Sequence, residues 1–375
     1  MRAREVGGFV RRGEDFVAGA LVRVEPSPGF AAGKGTGPLT TLTNVTGFFG
    51  GLRPVALRYD LSARLGEDLL YYRNVAGRYI EPSLEGPRVF SRAYTARADV
   101  RLDRAVPEDR SLAFFVTGAG VLTVSGDLSS GLSVLQQKYT SRATIHVVEY
   151  ETSGGFEKTS AYGKADVTLD AGAVRLASVV LEPIPFVMEP GFSIAAPPGF
   201  APTEVEVRLA FMRTSDALLT RVPVGSTRSI PAIPNASYTY RVAATLDGAV
   251  SDTGENLFNP AQPVTEIELP APPIAASPVD GEIRGAGETL LVDGEGVFEH
   301  VLVPESGERA IRIITRQRAA TLPDPAALGA RPASGPHTWT VRSFPSVRFA
   351  EELAGLDVRR YRAMGVSRPR SIVLR

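Results

Sequence analysis

Short segments in which apolar and polar residues alternate recur along the whole chain. They are rich in β-branched and aromatic residues and are bounded by Gly and Pro, of which the chain has 37 and 29. This alternation indicates half-buried β-strands, because successive side chains of a strand point to opposite faces of its sheet. The clearest examples are ALVRVEP (20–26), ATIHVVEYE (143–151), ADVTLDAG (165–172), EVEVRLAFM (204–212), YTYRVAATL (238–246) and HTWTVRSF (337–344).

Helical periodicity is nearly absent from the sequence. The best helix candidates are two short segments, 324–330 and 348–356. The pattern therefore predicts an all-β fold of tandem β-sandwiches of the immunoglobulin-like size.

Pro-rich stretches divide the chain. Pro fixes φ and offers no N–H to a sheet, so such stretches are typical of semi-rigid linkers between domains. They lie at 81–92, 182–191 and 268–281. The sequence therefore predicts four β-sandwich units, at 1–87, 88–183, 184–272 and 273–375.

Residues 5–63 carry an ordered series of strand and turn signals, which includes TNVTGFFGGL (43–52) and RYDLSA (58–63). The series resembles the carboxypeptidase regulatory-like (transthyretin-like) β-sandwich family over about the first 85 residues. Asn44 stands where the family more often has Asp, and a long loop (26–39) precedes the third strand. The resemblance implies a small, non-catalytic sandwich attached to other domains. The matching residues are Gly8, Val10, Gly19, Ala20, Val22, Val24, Thr43, Asn44, Gly47, Phe48, Leu52, Tyr59 and Leu61.

The stretch TNVTGFFGGL is interpreted as a hairpin turn. Gly47 suits a backbone position with positive φ, and Asn44 can form a hydrogen bond within its own turn. Phe48 is then predicted to enter the core. The stretch would be a binding site only if its loops were exposed and rich in aromatic residues.

The last unit, 273–375, resembles a fibronectin type III-like domain of bacterial envelope proteins. The resemblance depends on the opening ASPVDG (276–281) and on the aromatic strand HTWTVRSF. Trp339, the only Trp, lies in the middle of that alternating strand and is predicted to be a core residue. The two middle units match no family, and their strand pattern alone predicts further sandwiches.

Composition and charge narrow the classes of partner. The 41 basic and 41 acidic residues balance, so the chain has no net positive charge to attract nucleic acid. It has no Cys, which removes disulfides and thiolate chemistry. No apolar run approaches the ~20 residues that span a bilayer. The start, MRAREVGGFV, shows no signal peptide; the protein would be cytoplasmic, or an export signal, with any lipid anchor, has been removed.

No motif indicates catalysis, a metal or a cofactor. The segment 29–37, GFAAGKGTG, lacks the Lys-Ser/Thr pair and the helix of a phosphate-binding loop. The acidic segments 246–256 and 292–300 lack the ligand density of good calcium sites. No nucleophile elbow is present. The three histidines are scattered, at His146, His300 and His337. We therefore predict no catalytic residues, no metal ligands and no cofactor.

The segment LLYYRNVAGRYIEP (69–82) is the best candidate for binding. Tyr and Arg are the residue types that dominate the binding energy of interfaces, and flat rings also stack on sugars. If the segment forms a pair of strands, about half of these side chains would instead lie in the core. The candidate ligand-binding residues are Tyr71, Tyr72, Arg73 and Tyr79.

Together these observations favour a non-enzymatic, multi-domain β-sandwich protein of the bacterial cell envelope that acts in adhesion, binding or scaffolding. Its partner would be a protein or polysaccharide surface. One alternative is a carbohydrate-binding accessory protein that uses the tyrosines. A second is a hydrolase on a β scaffold, which would need a cleft with converging carboxylates. The fold class alone does not choose among them.

Overall fold

A computed structural model describes most of the chain, and the regular secondary structure of the described residues is almost entirely β-strand. Its thirty-seven strands are joined by turns, and its two helices are short 3-10 segments, Pro325–Leu328 and Ala350–Ala354. The predicted all-β class of tandem sandwiches is confirmed. Within the same ranges no helix is long and apolar enough to cross a bilayer. The described ranges are 5–12, 15–28, 30, 37–53, 58–66, 68–84, 94–118, 121–136, 138–211, 215–306, 310–330, 334–354 and 363–375.

The first segment forms ten strands. β4 pairs antiparallel with β5 and β7, β7 pairs with β8, and β1 pairs with β6. The strands are β1 (Val6–Phe9), β2 (Arg11–Arg12), β3 (Asp15–Phe16), β4 (Leu21–Pro26), β5 (Leu39–Leu42), β6 (Phe48–Leu52), β7 (Tyr59–Leu65), β8 (Asp68–Val75), β9 (Tyr79–Ile80) and β10 (Ser83–Leu84).

The second segment forms two four-stranded sheets, in the orders β13-β14-β11-β17 and β12-β15-β16-β18. Its first long strand, β11, pairs in parallel with β17, so the two ends of the segment share one sheet. The strands are β11 (Tyr94–Leu102), β12 (Arg110–Gly118), β13 (Val121–Asp127), β14 (Gly131–Gln136), β15 (Thr140–Glu151), β16 (Gly155–Asp170), β17 (Val174–Val179) and β18 (Glu182–Pro183).

The third segment is built around the sheet β22-β21-β24-β27, with β20 and β28 paired in parallel. The strands are β19 (Val187–Met188), β20 (Gly191–Ala195), β21 (Glu204–Phe211), β22 (Ser215–Pro223), β23 (Ile230–Pro231), β24 (Ser237–Arg241), β25 (Ala243–Leu246), β26 (Ala249–Asp252), β27 (Asn256–Phe258) and β28 (Val264–Glu268).

Aromatic residues join the second and third segments. The Phe211 ring lies 5.0 Å from Phe115, 5.8 Å from Tyr162 and 4.3 Å from His146, measured between ring centroids. Phe115 and Tyr162 belong to the same buried cluster as the core of the third segment. The two segments are therefore packed through a continuous apolar contact.

The last segment contributes most of a large sheet. The strands are β29 (Ile274–Ser277), β30 (Ile283–Arg284), β31 (Thr289–Asp293), β32 (Val297–Pro304), β33 (Ile311–Thr315), β34 (Ala319–Thr321), β35 (Gly335–Phe344), β36 (Met364–Val366) and β37 (Arg370–Leu374).

This sheet has twelve strands and crosses three of the four predicted units. β33 pairs in parallel with β8, which joins the last segment to the first, and β36 pairs with β26 of the third. β8 suits a central position because both of its faces are apolar. The division at 87, 183 and 272 stays a prediction, but the sheet shows that the first and last segments are not separate bodies.

Two cores lie on opposite sides of the junction between β8 and β33. Leu70 and Tyr72 of β8 pack with Ile314 and Phe344, whereas Tyr71 packs on the other side with a second set of residues. That second core contains Trp339, which has no exposed surface, as the alternating pattern predicted.

The turn TNVTGFFGGL forms as predicted, but the side chain that enters the core is Phe49 and not Phe48. Gly47 has φ 75°, and the Asn44 side-chain oxygen accepts hydrogen bonds from the N–H of Thr46 at 2.9 Å and of Phe48 at 3.0 Å. Phe49 is buried and Phe48 is 40% exposed. The prediction that Phe48 enters the core was therefore wrong, because strand alternation sends only one of two neighbouring rings inward.

Candidate binding site

The structure separates the four predicted ligand-binding residues. Tyr71 and Tyr72 are neighbours on β8, so strand alternation directs them into the two different cores. Both rings are buried. A ligand that stacks on a ring needs an exposed face, and these two tyrosines offer none.

Arg73 forms ion pairs within the first segment. Its guanidinium is 2.7 Å from the Asp60 carboxylate and 4.0 Å from that of Glu25, and it lies 5.7 Å from the centroid of the Tyr71 ring. Asp60 also accepts a hydrogen bond from Ser27 at 2.6 Å. These contacts hold Arg73 against its own sandwich.

Tyr79 is the one predicted residue on an open surface, where it is 56% exposed. It belongs to a group that we call the aromatic patch, formed by Phe9, Phe16, Phe48 and Tyr79. The centroid of the Phe9 ring lies 4.6 Å from that of Phe16, 5.2 Å from Phe48 and 6.4 Å from Tyr79. Phe16 and Phe48 are 44% and 40% exposed.

Sheet pairing brings the aromatic patch together. Phe9 of β1 lies directly opposite Phe48 of β6, and β9 runs beside β1 on its other edge with Tyr79 opposite Gly7. Phe16 approaches through the short β2–β3 pair, in which it lies opposite Arg11. Each ring is thus placed by backbone hydrogen bonds, so the patch is a fixed surface.

Charged groups border one side of the patch. The Arg11 guanidinium lies 4.1 Å from the centroid of the Phe16 ring and donates a hydrogen bond to Glu81 at 2.7 Å. The Tyr79 hydroxyl donates to the other Glu81 oxygen at 2.6 Å. Partial desolvation, followed by the hydrogen bond to Glu81, raises the pKa of Tyr79 to about 12. Tyr79 is therefore a neutral hydrogen-bonding group at physiological pH.

Sequence reasoning found only part of this patch. Phe9 and Phe16 were not singled out, because each is a lone Phe in a short strand. The signal that could have found them is the pairing of β1 with β6, which places Phe9 opposite Phe48. The condition set for the hairpin, exposed and aromatic-rich surroundings, is met at this surface.

The described residues offer little for metal binding or acid–base catalysis. In the described ranges no three His, Asp or Glu side chains converge in a way that could hold a metal ion. Three pockets formed by these residues are lined by at most one carboxylate each, Asp280 in one and Asp324 in another. The Glu299 carboxylate is wholly buried, and Arg312 donates a hydrogen bond to it at 2.7 Å.

Comparison with known proteins gives no family for the chain. No family model and no curated protein matches it. Similar solved structures include a minor pilin of Streptococcus agalactiae (11% identity over 49% of this chain and 97% of that one, TM-score 0.18). Another is the TIE protein of Bacillus anthracis (11%, 90% and 68%, TM-score 0.18).

Two B repeats of the collagen-binding protein of Staphylococcus aureus are also similar, with 10% identity over 90% of this chain and 92% of that one. Their TM-score is 0.14. Scores this low carry no argument about fold or function. The sheets of this chain therefore remain the basis for its fold, and the aromatic patch remains the basis for its candidate site.

Proposed function

We propose that the protein is a non-enzymatic, multi-domain β-sandwich protein of the bacterial cell envelope that acts in adhesion, with the aromatic patch as its contact surface. The observation that supports this proposal is the cluster of Phe9, Phe16, Phe48 and Tyr79 on the surface of a paired sheet. Exposed apolar groups of this kind are typical of interaction sites.

The patch has the composition of an energetic centre of an interface. Aromatic residues and Arg contribute most of the binding energy when a partner removes them from water. The rings are held by strands, so little side-chain entropy is lost on association. Arg11 and Glu81 would form a polar rim that fixes orientation.

A protein surface is favoured over a polysaccharide as the partner. Three of the four rings are Phe, which cannot form a hydrogen bond with sugar hydroxyls. Tyr79, with Glu81 beside it, is the part of the patch that suits a sugar. Carbohydrate binding is therefore the second outcome that an experiment has to separate.

The envelope location follows from the same proposal. The chain would be exported, to the periplasm, the outer membrane or the cell exterior. Rigid sandwiches that present a recognition surface suit such a protein. Resemblance of the first unit to carboxypeptidase regulatory-like domains and of the last to fibronectin type III-like domains stays part of this proposal.

The hydrolase alternative lacks a specific observation in its favour. It needs two carboxylates that converge in a cleft. Three pockets formed by described residues bring at most one carboxylate each to their linings. The buried carboxylate of Glu299 forms ion pairs with Arg312 and Arg342.

Binding of the purified chain to immobilised extracellular-matrix proteins and, in parallel, to purified polysaccharides tests the proposal. Phe16→Ser and Tyr79→Ser remove exposed rings, and Leu257→Ser is the matched control because Leu257 is exposed on the third segment. We expect saturable protein binding that each patch variant weakens about tenfold or more, which is about 1.4 kcal/mol. Tyr72→Ala is unsuitable, because it removes a core residue.

Three outcomes would contradict the proposal. Binding to polysaccharide alone, lost in Tyr79→Ser, would establish the carbohydrate-binding alternative. Binding that Phe16→Ser and Leu257→Ser weaken equally would show that the patch is not the contact surface. Release of reducing ends from any polysaccharide would establish a hydrolase.

A further inference from the structure

A pocket lies beside the Pro-rich segment that joins the third and last segments. It has a volume of about 640 Å³ and is lined mainly by apolar side chains. We call it the hinge pocket. Its walls include Phe200 and Leu246 from the third segment, Ile274 and Val279 from the start of the last segment, and Arg368 and Arg370 from the end of the chain. Its volume lies within the range of small-molecule sites.

The walls of the hinge pocket are tied to one another. β26 pairs with β36, with Ser251 opposite Gly365. The Ser251 hydroxyl donates a hydrogen bond to the Pro270 carbonyl at 2.6 Å, and Arg368 forms an ion pair with Asp247. Segments distant in sequence are therefore fixed around the pocket before any ligand arrives.

Apolar side chains in the pocket are left open to solvent. Ile274 is 61% exposed and Val279 is 59% exposed, although both border a concave surface. Burial of such surface contributes about 25 cal/mol per Å². An apolar ligand body would gain this contribution by covering them.

Arg370 lines the pocket and, among the described residues, keeps N–H donors without a partner. Arg370 donates one N–H from Nη1 to the Pro278 carbonyl at 2.8 Å. Across the described ranges no carboxylate lies within ion-pair distance of Arg370. The nearby Asp280 accepts a hydrogen bond from the Ser371 N–H at 2.6 Å. A guanidinium fork with free N–H groups is the preferred partner of a carboxylate.

We propose that the hinge pocket binds a small amphiphilic carboxylate, with its apolar body against Ile274 and Val279 and its carboxylate on Arg370. The charge of Arg370 selects an anion, and the apolar lining selects a hydrocarbon body. This proposal does not depend on adhesion through the aromatic patch, which lies on the first segment.

Isothermal titration calorimetry of the full chain with decanoate, decanol and decylamine tests this assignment. The three probes share one hydrocarbon chain and differ only in the head group. We expect saturable binding of one decanoate per chain, with decanol and decylamine at least tenfold weaker.

Two variants locate the site. Arg370→Gln keeps a donor for the Pro278 carbonyl but removes the charge. It should therefore lower the affinity for decanoate at least tenfold and change the affinity for decanol less than threefold. Val279→Trp should fill the pocket and lower the affinity for both decanoate and decanol. Arg228→Gln, an exposed arginine of the third segment, is the matched control.

Several results would overturn the proposal. These are the absence of saturable decanoate binding, equal affinity for decanoate and decylamine, and an affinity for decanoate that Arg370→Gln leaves unchanged. Far-ultraviolet circular dichroism of each variant shows whether a loss of binding comes from a loss of fold.

Discussion

His300 gives the protein a specific sensitivity to acid. It lies on β32 with no exposed surface, and its ring is stacked on Trp339 with the centroids 6.0 Å apart. Neither ring nitrogen has a hydrogen-bond partner within the described part of the structure. Burial lowers the pKa of His300 from 6.5 to about 4, and the neighbouring Glu299 carboxylate opposes this only in part.

The sign of the effect follows from the two states. The unfolded chain takes up a proton on His300 as the pH falls through 6.5, whereas the folded chain takes it up only near 4. His300 therefore makes its full contribution to the free energy of unfolding above pH 6.5. This contribution is lost as the pH falls from 6.5 to about 4. The difference between the two pKa values corresponds to about 3 kcal/mol of stability in total, of which about 2 kcal/mol is lost by pH 5.

Two substitutions isolate this contribution. His300→Leu and His300→Gln both remove the titrating group, and only His300→Leu also removes the unpaired polar atoms. We expect the free energy of unfolding of wild type to fall by about 2 kcal/mol more than that of either variant between pH 7.5 and pH 5. At pH 7.5, His300→Leu should be more stable than His300→Gln by about 1–3 kcal/mol.

Urea unfolding followed by Trp fluorescence measures the effect, because Trp339 is the only Trp and lies in the same core. The comparison between variants cancels the contribution of other titrating groups, including His146, whose pKa burial also lowers to about 4. Equal pH dependence in wild type and both variants would refute the reasoning.

Two other substitutions test local features of the fold by urea unfolding at pH 7.5. Glu299→Gln leaves the buried Arg312 guanidinium without a full countercharge, and we expect a loss of about 3–5 kcal/mol; no loss relative to the exposed control Glu295→Gln would show that the pair is not structural. Asn44→Ala removes the acceptor of the turn, including the bond from Thr46, and should lose about 1–2 kcal/mol, whereas Asn44→Asp should lose much less. A loss of equal size in both Asn44 variants would contradict the turn assignment.

Local patterns in the sequence were sufficient for the strands and the turns. Alternation depends only on neighbouring residues, so it located strands such as Glu204–Phe211 and the core position of Trp339. The turn at Asn44 and Gly47 follows from the backbone preferences of those two residues. Such features need no knowledge of the rest of the chain.

Local sequence patterns could not give the register of the strands or show which strands pair with each other. Phe48 and Phe49 are adjacent, and a shift of one residue exchanges which ring faces the core. The aromatic patch depends on which strands pair, so Phe9 carried no signal alone. The hinge pocket depends on contacts between segments more than a hundred residues apart.

One signal for long-range pairing was present. LLYY (69–72) and IRII (311–314) are nearly continuous in apolar residues, unlike the alternating strands elsewhere. A continuous apolar strand is buried on both faces, which is typical of a central strand in a parallel pair. These two segments are the partners in the parallel pair of β8 and β33.

That pairing changes how the first segment should be regarded. Leu70 and Tyr72 share a core with Ile314 and Phe344, and the Arg312 guanidinium donates to the Ser83 carbonyl at 3.4 Å. A first sandwich without the last segment would expose one edge of β8 and the core residues that the last segment covers, such as Leu70 and Tyr72. The hinge pocket is lined in part by strands of the twelve-stranded sheet, and the separate sheet β6-β1-β9 of the aromatic patch packs on the core that this sheet forms with the last segment. Loss of the last segment should disturb both surfaces, so each proposed function belongs to the whole chain.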